Sequence, residues 1–296
     1  MRIVTENLSY VYSEKSKELA VQALKNISLT IGEGEFFGII GQTGSGKSTF
    51  VQHLNGLIKI GKDKGSIVIG DFNLTDKKCD FKSLRAKVGM VFQYPEYQLF
   101  AETVKDDVAF GIKNFFPALS EKETEEMVKT AITLVGLDYE IVKDKSPFDL
   151  SGGQKRRVAI AGVIVTRPEV LVLDEPVAGL DPQGKREFTE LLKNLHKTTV
   201  KTIVIVSHDM NFVSENCTRV AVFSHGELYA EGSPKEIFSD FSRLKDLGLD
   251  LPVTAYLTEK LSETGIKVES DITTDGFADA FAAAYIENKE KRRREE

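Results

Sequence analysis

Cysteine is scarce: Cys79 and Cys217 are the only two in 296 residues. They stand far apart and lack metal-ligand spacing, which excludes a disulfide scaffold and points to a reducing compartment. Long hydrophobic runs are also missing. Stretches such as VAIAGVIV and TIVIVS fall well short of the ~18 apolar residues that a membrane span needs. The first residues, MRIVTENLSY, alternate and carry charge, unlike the apolar core of a secretory signal. Excess positive charge is absent too. The chain has 39 Lys and Arg against 45 Asp and Glu, a net charge of −6 and a pI near 5.5, so no nucleic-acid partner is expected. There are no internal repeats and no low-complexity linkers. A soluble cytoplasmic protein is expected, reaching any membrane through a partner.

What is present is a chain that is 41% hydrophobic, enough for one large α/β domain with an appendage. Residues 1–40 read as strands, GSIVIGDFNL as a strand pair, and KVGMVFQYP as a buried strand ending at Pro95. From 102 to 146 the pattern is helical. SEKETEEMVKTAITLVGL opens with a capping box, Ser120 with Glu123, and places Met127, Ala131, Leu134 and Val135 on one face. EVLVLDEP and KTIVIVSHD are short β-branched runs separated by a helix with Asp181 as N-cap and Pro182 in its first turn. Strands alternating with helices predict a mostly parallel sheet. After about residue 235 short helices take over, and the mixed-charge tail ENKEKRRREE is expected to be solvated.

GQTGSGKST matches G-x-x-x-x-G-K-[ST] over Gly41–Ser48, between the apolar run FFGII and a helical stretch. This is the context a phosphate loop requires. Gly41, Gln42, Thr43, Gly44, Ser45, Gly46 and Thr49 belong to that cradle. Lys47 would reach the β- and γ-oxygens of a nucleotide, and the Ser48 hydroxyl would ligate Mg²⁺. LVLDE supplies a second metal carboxylate, Asp174, at a strand end, followed by Glu175 as a water-polarising base. Alone, such an acid pair is equally a solvated turn. His208 follows TIVIVS at the sheet edge where α/β proteins bind ligands, whereas His53, His196 and His225 read as structural. Gln93 closes VGMVFQ; it either touches the metal or water, or caps a loop.

A second glycine turn, LSGGQ at Leu150–Gln154, opens the basic helical run KRRVAIAGV. The order of phosphate loop, strand-end Gln, helical segment, LSGGQ, acid pair and strand-end His resembles the ATP-binding cassette (ABC) ATPases over residues 1–235. The resemblance implies a phosphate-loop ATPase cassette: α/β, with a mixed, mostly parallel sheet, an antiparallel β subdomain, a helical insert at about 94–165 and a small C-terminal extension at 236–296. It also implies ATP and Mg²⁺ as cofactors and two cassettes paired head to tail. Ser151, Gly152, Gly153 and Gln154 then serve nucleotide held by the partner. Small residues allow close approach there, and a helix N-terminus favours anions. Lys155, Arg156 and Arg157 either add to that field or form a solvated face. By the same resemblance Gln93 is the Q-loop residue and a metal contact, Glu175 the catalytic carboxylate and His208 the switch histidine. Asp181 is the D-loop aspartate. Tyr12 stacks on adenine, unless it or Tyr10 is a core aromatic. Val177, where Thr is common, and AGLD in place of Ser-Ala-Leu-Asp are departures that remove no catalytic group.

HLNGL, QYPEYQLF, RRVAIAGV and DEPVAGLDP resemble the energy-coupling factor (ECF) ATPases, and GQTGSGKSTFVQHLNGL sits nearer the second of that family's two ATPase paralogues. The resemblance implies a second ATPase subunit, a transmembrane coupling subunit and a substrate-binding membrane subunit. It implies a peripheral place on the cytoplasmic face of the membrane and uptake of a vitamin or transition-metal ion. Tyr94–Phe100 either faces the membrane partner or packs locally. Phe277, Phe281, Ala284 and Tyr285 share one helical face, which packs on its own cassette or on a second subunit. The alternative is a soluble ABC ATPase acting on ribosomes or DNA. Those typically carry two cassettes or a long coiled coil, which this chain lacks. A solitary kinase or GTPase would leave LSGGQ unexplained.

Overall fold

A computed structural model describes residues 1–12, 20–269 and 272–295. Two sheets face each other. The first is antiparallel, with β1 (Ile3–Tyr12), β2 (Val21–Ile31), β4 (Ser66–Ile69) and β5 (Phe72–Asn73) in the order β2-β1-β4-β5. The second contains β3 (Phe36–Ile40), β6 (Val88–Val91), β7 (Val170–Asp174), β8 (Thr202–Val206), β9 (Arg219–Ser224) and β10 (Glu227–Gly232). Its order is β10-β9-β3-β8-β7-β6, parallel except for the β10–β9 hairpin. The expected mixed sheet and antiparallel subdomain are both there.

Strands β3, β6, β7 and β8 are buried along their whole length, as strands covered on both faces should be. The two-residue period of a strand then divides the interior. Phe37, Ile39, Val170, Val172, Val204 and Val206 join residues of β1, β2, β4, α1 (Lys47–Leu54) and α2 (Phe81–Lys87) in one core. Phe36, Ile40, Leu171, Leu173, Ile203 and Ile205 join the larger core on the other face. The helices over that face include α3 (Val104–Phe115), α4 (Glu121–Leu134), α5 (Tyr139–Val142), α6 (Gly152–Ile164), α7 (Pro182–Thr198) and α8 (Met210–Asn216). The two cores meet at the sheet, so the loops at its strand ends are held from both sides.

The capping box at Ser120 and Glu123 is formed. The buried face of α4 is not quite the expected one. Val128, Ala131, Ile132 and Val135 are buried, and Met127 and Leu134 are only partly so. These four hold i, i+3, i+4, i+7 spacing, so the stripe is rotated by one residue. β6 stops at Val91, short of Pro95, which instead opens a 3₁₀ turn, Pro95–Gln98, after Tyr94 at φ 54°.

The core does not stop at residue 235. α9 (Pro234–Ser239) buries Ile237 and Phe238, and Leu244 of α10 (Phe241–Asp246), Leu249, Ala255 of α11 (Val253–Glu263) and Ile272 join the same cluster. α12 (Thr274–Glu295) is longer than the short helix expected. Its Phe277 and Phe281 rings stack at 6.1 Å, and Tyr285 continues the stripe half-exposed. The stretch 287–296, expected to be a solvated tail, carries α12 on to Glu295; apart from Asn288, its side chains lie outside the described residues.

Candidate functional site

The phosphate loop joins β3 to α1. Gly41 (φ 152°) and Gly46 (φ 100°) sit where a Cβ would strike the carbonyl oxygens of Phe223 and Ala23, so only glycine lets the loop nest against those strands. Gly46 caps α1 with no side-chain hydrogen bond, and the first turn has no acid. The helix therefore offers unclaimed N–H groups and its positive end to an anion. Lys47 is buried and donates to the carbonyls of Gly41 at 2.6 Å and Gln42 at 2.9 Å. Burial lowers its pKa, while the carboxylates of Glu175 and Asp174 oppose that shift.

Asp174 ends β7, buried, with Oδ1 lacking any hydrogen-bond partner among the described residues. Burial raises its pKa, against the Ser48 hydroxyl and the Lys47 charge. A buried carboxylate oxygen without a donor, beside a hydroxyl, fits a hard divalent cation. Glu175 adopts a left-handed backbone, φ 50°, with its N–H bonded to Val206 O at 3.0 Å. That turn aims its carboxylate at His208, whose Nδ1 donates to Oε2 at 2.6 Å and whose backbone N–H donates at 3.3 Å. Burial raises the Glu175 pKa, and the nearby His208 and Lys47 oppose the rise.

Tyr12, Lys47, Ser48, Gln93, Glu175 and His208 line one cavity of about 510 Å³. Tyr12, 41% exposed, shares a hydrogen bond with Thr49 Oγ1 at 3.2 Å and meets Tyr10 edge-on. Tyr10 instead packs on the buried His53, which holds Thr49 O. Thus Tyr12, not Tyr10, is the aromatic at the cavity. The sequence-predicted residues of the phosphate loop, acid pair, Gln93 and His208 come together.

Leu150–Gln154 and Asp181 do not line that cavity. Ser151 caps α6 through a capping box with Gln154, and Asp181 caps α7 by accepting from Gly184 N–H at 2.6 Å. Cβ atoms on Gly152 and Gly153 would find open space. Packing among the described residues therefore gives no reason for glycine at either position.

Arg156 takes neither of the expected parts: it does not face solvent, and its guanidinium is paired internally rather than aimed at the exposed end of α6. It is 4% exposed, forks onto Glu96 at 3.1 Å and donates to Pro176 O and Ala178 O at 3.2 Å. It thereby fastens α6 to the turn after Gln93 and to the turn after Glu175. Arg157 bonds Val135 O and Glu187. The run KRR carries no sign of which arginine turns inward; only the packing angle of α6 decides it. Within Tyr94–Phe100, Leu99 is buried, while Tyr97 and Phe100 are 84% and 60% exposed. Phe100 meets Phe110 edge-on beside a cavity of about 490 Å³ that Leu57 and Phe92 also line.

Residues 24–178 match the family described as ABC transporter. The "Energy-coupling factor transporter ATP-binding protein EcfA2" of Clostridioides difficile (strain 630) is 50% identical over 275 residues, covering 93% of this chain and 94% of the relative. Its namesake from Clostridium perfringens (strain 13 / Type A) is 47% identical over 288 residues, covering 97% and 99%. Among solved structures, cbiO1 from Clostridium perfringens, described as part of the ABC transporter complex cbiONQ, superposes with a TM-score of 0.71 at 39% identity, covering 87% of this chain and 98% of that one. A dimeric ATP-binding cassette, MJ0796, bound to ADP and Pi, superposes with a TM-score of 0.69 at 31% identity, covering 78% and 98%.

Proposed function

This chain belongs to the ABC transporter family of ATPases, and on that premise we propose that it is the ATP-hydrolysing subunit of an ECF-type importer. It works as one half of a head-to-tail dimer, peripheral to the cytoplasmic face of the membrane. It drives uptake of a vitamin or transition-metal ion through a coupling subunit and a substrate-binding subunit. Among the described residues no helix is long and apolar enough to cross a membrane, which fits a translocation path built by other polypeptides.

The observation that carries this reading is the separation of the two glycine turns. The phosphate loop has its acid pair and histidine beside it, whereas Ser151–Gln154, capped by its own side chains, presents an exposed helix N-terminus with open space at Gly152 and Gly153, away from that cavity. A second subunit's nucleotide is the natural occupant. The loop backbone and Lys47 hold the phosphates, Tyr12 meets the base, and Ser151 and Gly153 reach the partner's γ-phosphate. Ser48, Asp174 and Gln93 would hold Mg²⁺, which would supply charge neutralisation to the phosphates. Glu175 takes the proton of the attacking water. His208, bonded to Glu175, fixes the carboxylate's orientation. Asp181 lies in the turn that faces the other subunit.

Purification of the tagged chain from its own cells tests the assignment. Co-purification of a second ATPase subunit and integral membrane subunits supports it; recovery with ribosomes and no membrane subunit overturns it.

A further inference from the structure

The C-terminal segment does not leave the cassette directly after α9. α10 ends with Leu249 N–H donating to Leu244 O at 3.0 Å and Gly248 N–H to Lys245 O at 2.8 Å. This is a Schellman turn, which requires a left-handed residue, and Gly248 has φ +61°. Capping alone would admit glycine or asparagine. The neighbour of Gly248 adds a contact with the phosphate loop. A Cβ there would overlap the side-chain amide of Gln42, so a phosphate-loop side chain rests on the bare α-carbon. Leu249 and Asp250 go on to line a cavity of about 430 Å³ with Gly41, Gln42, Lys47 and His208. Then Val253 N–H donates to Asn211 Oδ1 at 2.8 Å, in the first turn of α8, just past His208. Leu244, Leu249 and Ala255 anchor the stretch in the larger core.

We propose that Gly248–Val253 is a positioning strap for the nucleotide site of its own subunit, holding the Gln42 turn of the phosphate loop against the helix that follows His208. The proposal rests on the reading of that cavity as the ATP site. The contact is with the Gln42 side-chain amide, and Gln42 O is one of the two carbonyls that hold Lys47, so the strap bears on the residue that positions the lysine. The strap also leads directly into α11 and α12, and so joins the C-terminal segment to the site.

The test is nucleotide affinity of the full-length chain in a two-by-two set. Gly248→Asn keeps the left-handed turn but adds a Cβ. It is expected to weaken ATP and ADP binding about fivefold, the order of effect of one side chain forced off its rotamer. In a Gln42→Ala background the same change is expected to have no further effect, because the amide it displaces is gone. Equal losses in both backgrounds, or parental affinity in Gly248→Asn, would overturn the strap. Should Gly248→Asn fail to fold, Asn211→Ala carries the test: weaker ATP binding supports the strap, unchanged binding overturns it. Failure of the parent chain itself to bind ATP would instead refute the underlying site.

Discussion

At the scale of single residues, the proposed chemistry turns on Glu175. Its left-handed turn stores backbone strain and brings the carboxylate within 2.6 Å of His208. Glu175→Gln keeps the shape and removes the base, so turnover should fall ~10²–10⁴-fold while ATP still binds, as steady-state hydrolysis and nucleotide titration can check. Burial raises the Glu175 pKa, and the base acts only when ionised. Activity should therefore fall on the acid side, at a higher pH than for an exposed glutamate. His208 pulls that pKa down, so His208→Ala should move the acid limb of the pH–rate profile to higher pH. A limb that stays in place, or moves to lower pH, would contradict this coupling. The residues of this site were legible because each is fixed by spacing: Lys47 and Ser48 follow the glycines, and Asp174 and Glu175 end one strand. Arg156 and Gly248 were not legible. Their roles depend on partners 60 residues away at Glu96 and far upstream at Gln42, which no local pattern encodes.

At the scale of elements, α6 carries two jobs on opposite sides. Its exposed N-terminus presents Ser151, and its buried Arg156 binds Glu96 in the turn after Gln93. That turn also displays Tyr97 and Phe100. A direct link thus runs from the proposed partner-facing helix end to an exposed aromatic patch, and the patch suits a membrane subunit. Replacing Tyr97 and Phe100 by serine should weaken binding to the coupling subunit, measured on vesicles, while ATPase activity off the membrane persists. Leu99 is a poorer probe. It is buried in the larger core, and Leu99→Ala should cost about 2–5 kcal/mol of stability, lowering binding and hydrolysis together. Periodicity located α4 and its cap but misplaced its face by one residue, because the apolar stripe is wide and the neighbouring α3 and α6 choose which part is buried.

At the scale of the whole molecule, two halves of one proposed site lie on different surfaces of the chain, and a C-terminal helix carries a half-exposed aromatic stripe. We infer that α12 tethers two subunits between strokes. A chain ending at Thr273 loses α12 but keeps Ile272 in the core. It should be monomeric by sedimentation without nucleotide, where the full chain should be dimeric; equal dimerisation would sink the tether. Ending the chain near Asp240 would be a different experiment, since Leu244, Leu249, Ala255 and Ile272 leave the core with it. If each ATP is shared between two subunits, the way two mutations are divided between those subunits decides whether hydrolysis survives. Hydrolysis is compared in two doubly tagged mixed dimers, of this chain with a copy or with its paralogue carrying the equivalent change. With Lys47→Ala in one subunit and Ser151→Arg in the other, one composite site stays whole and hydrolysis should persist. With both changes in the same subunit, each site is broken once and hydrolysis should vanish. The reverse pattern, activity only when both changes share a subunit, would mean that each chain completes its own site and would contradict the account.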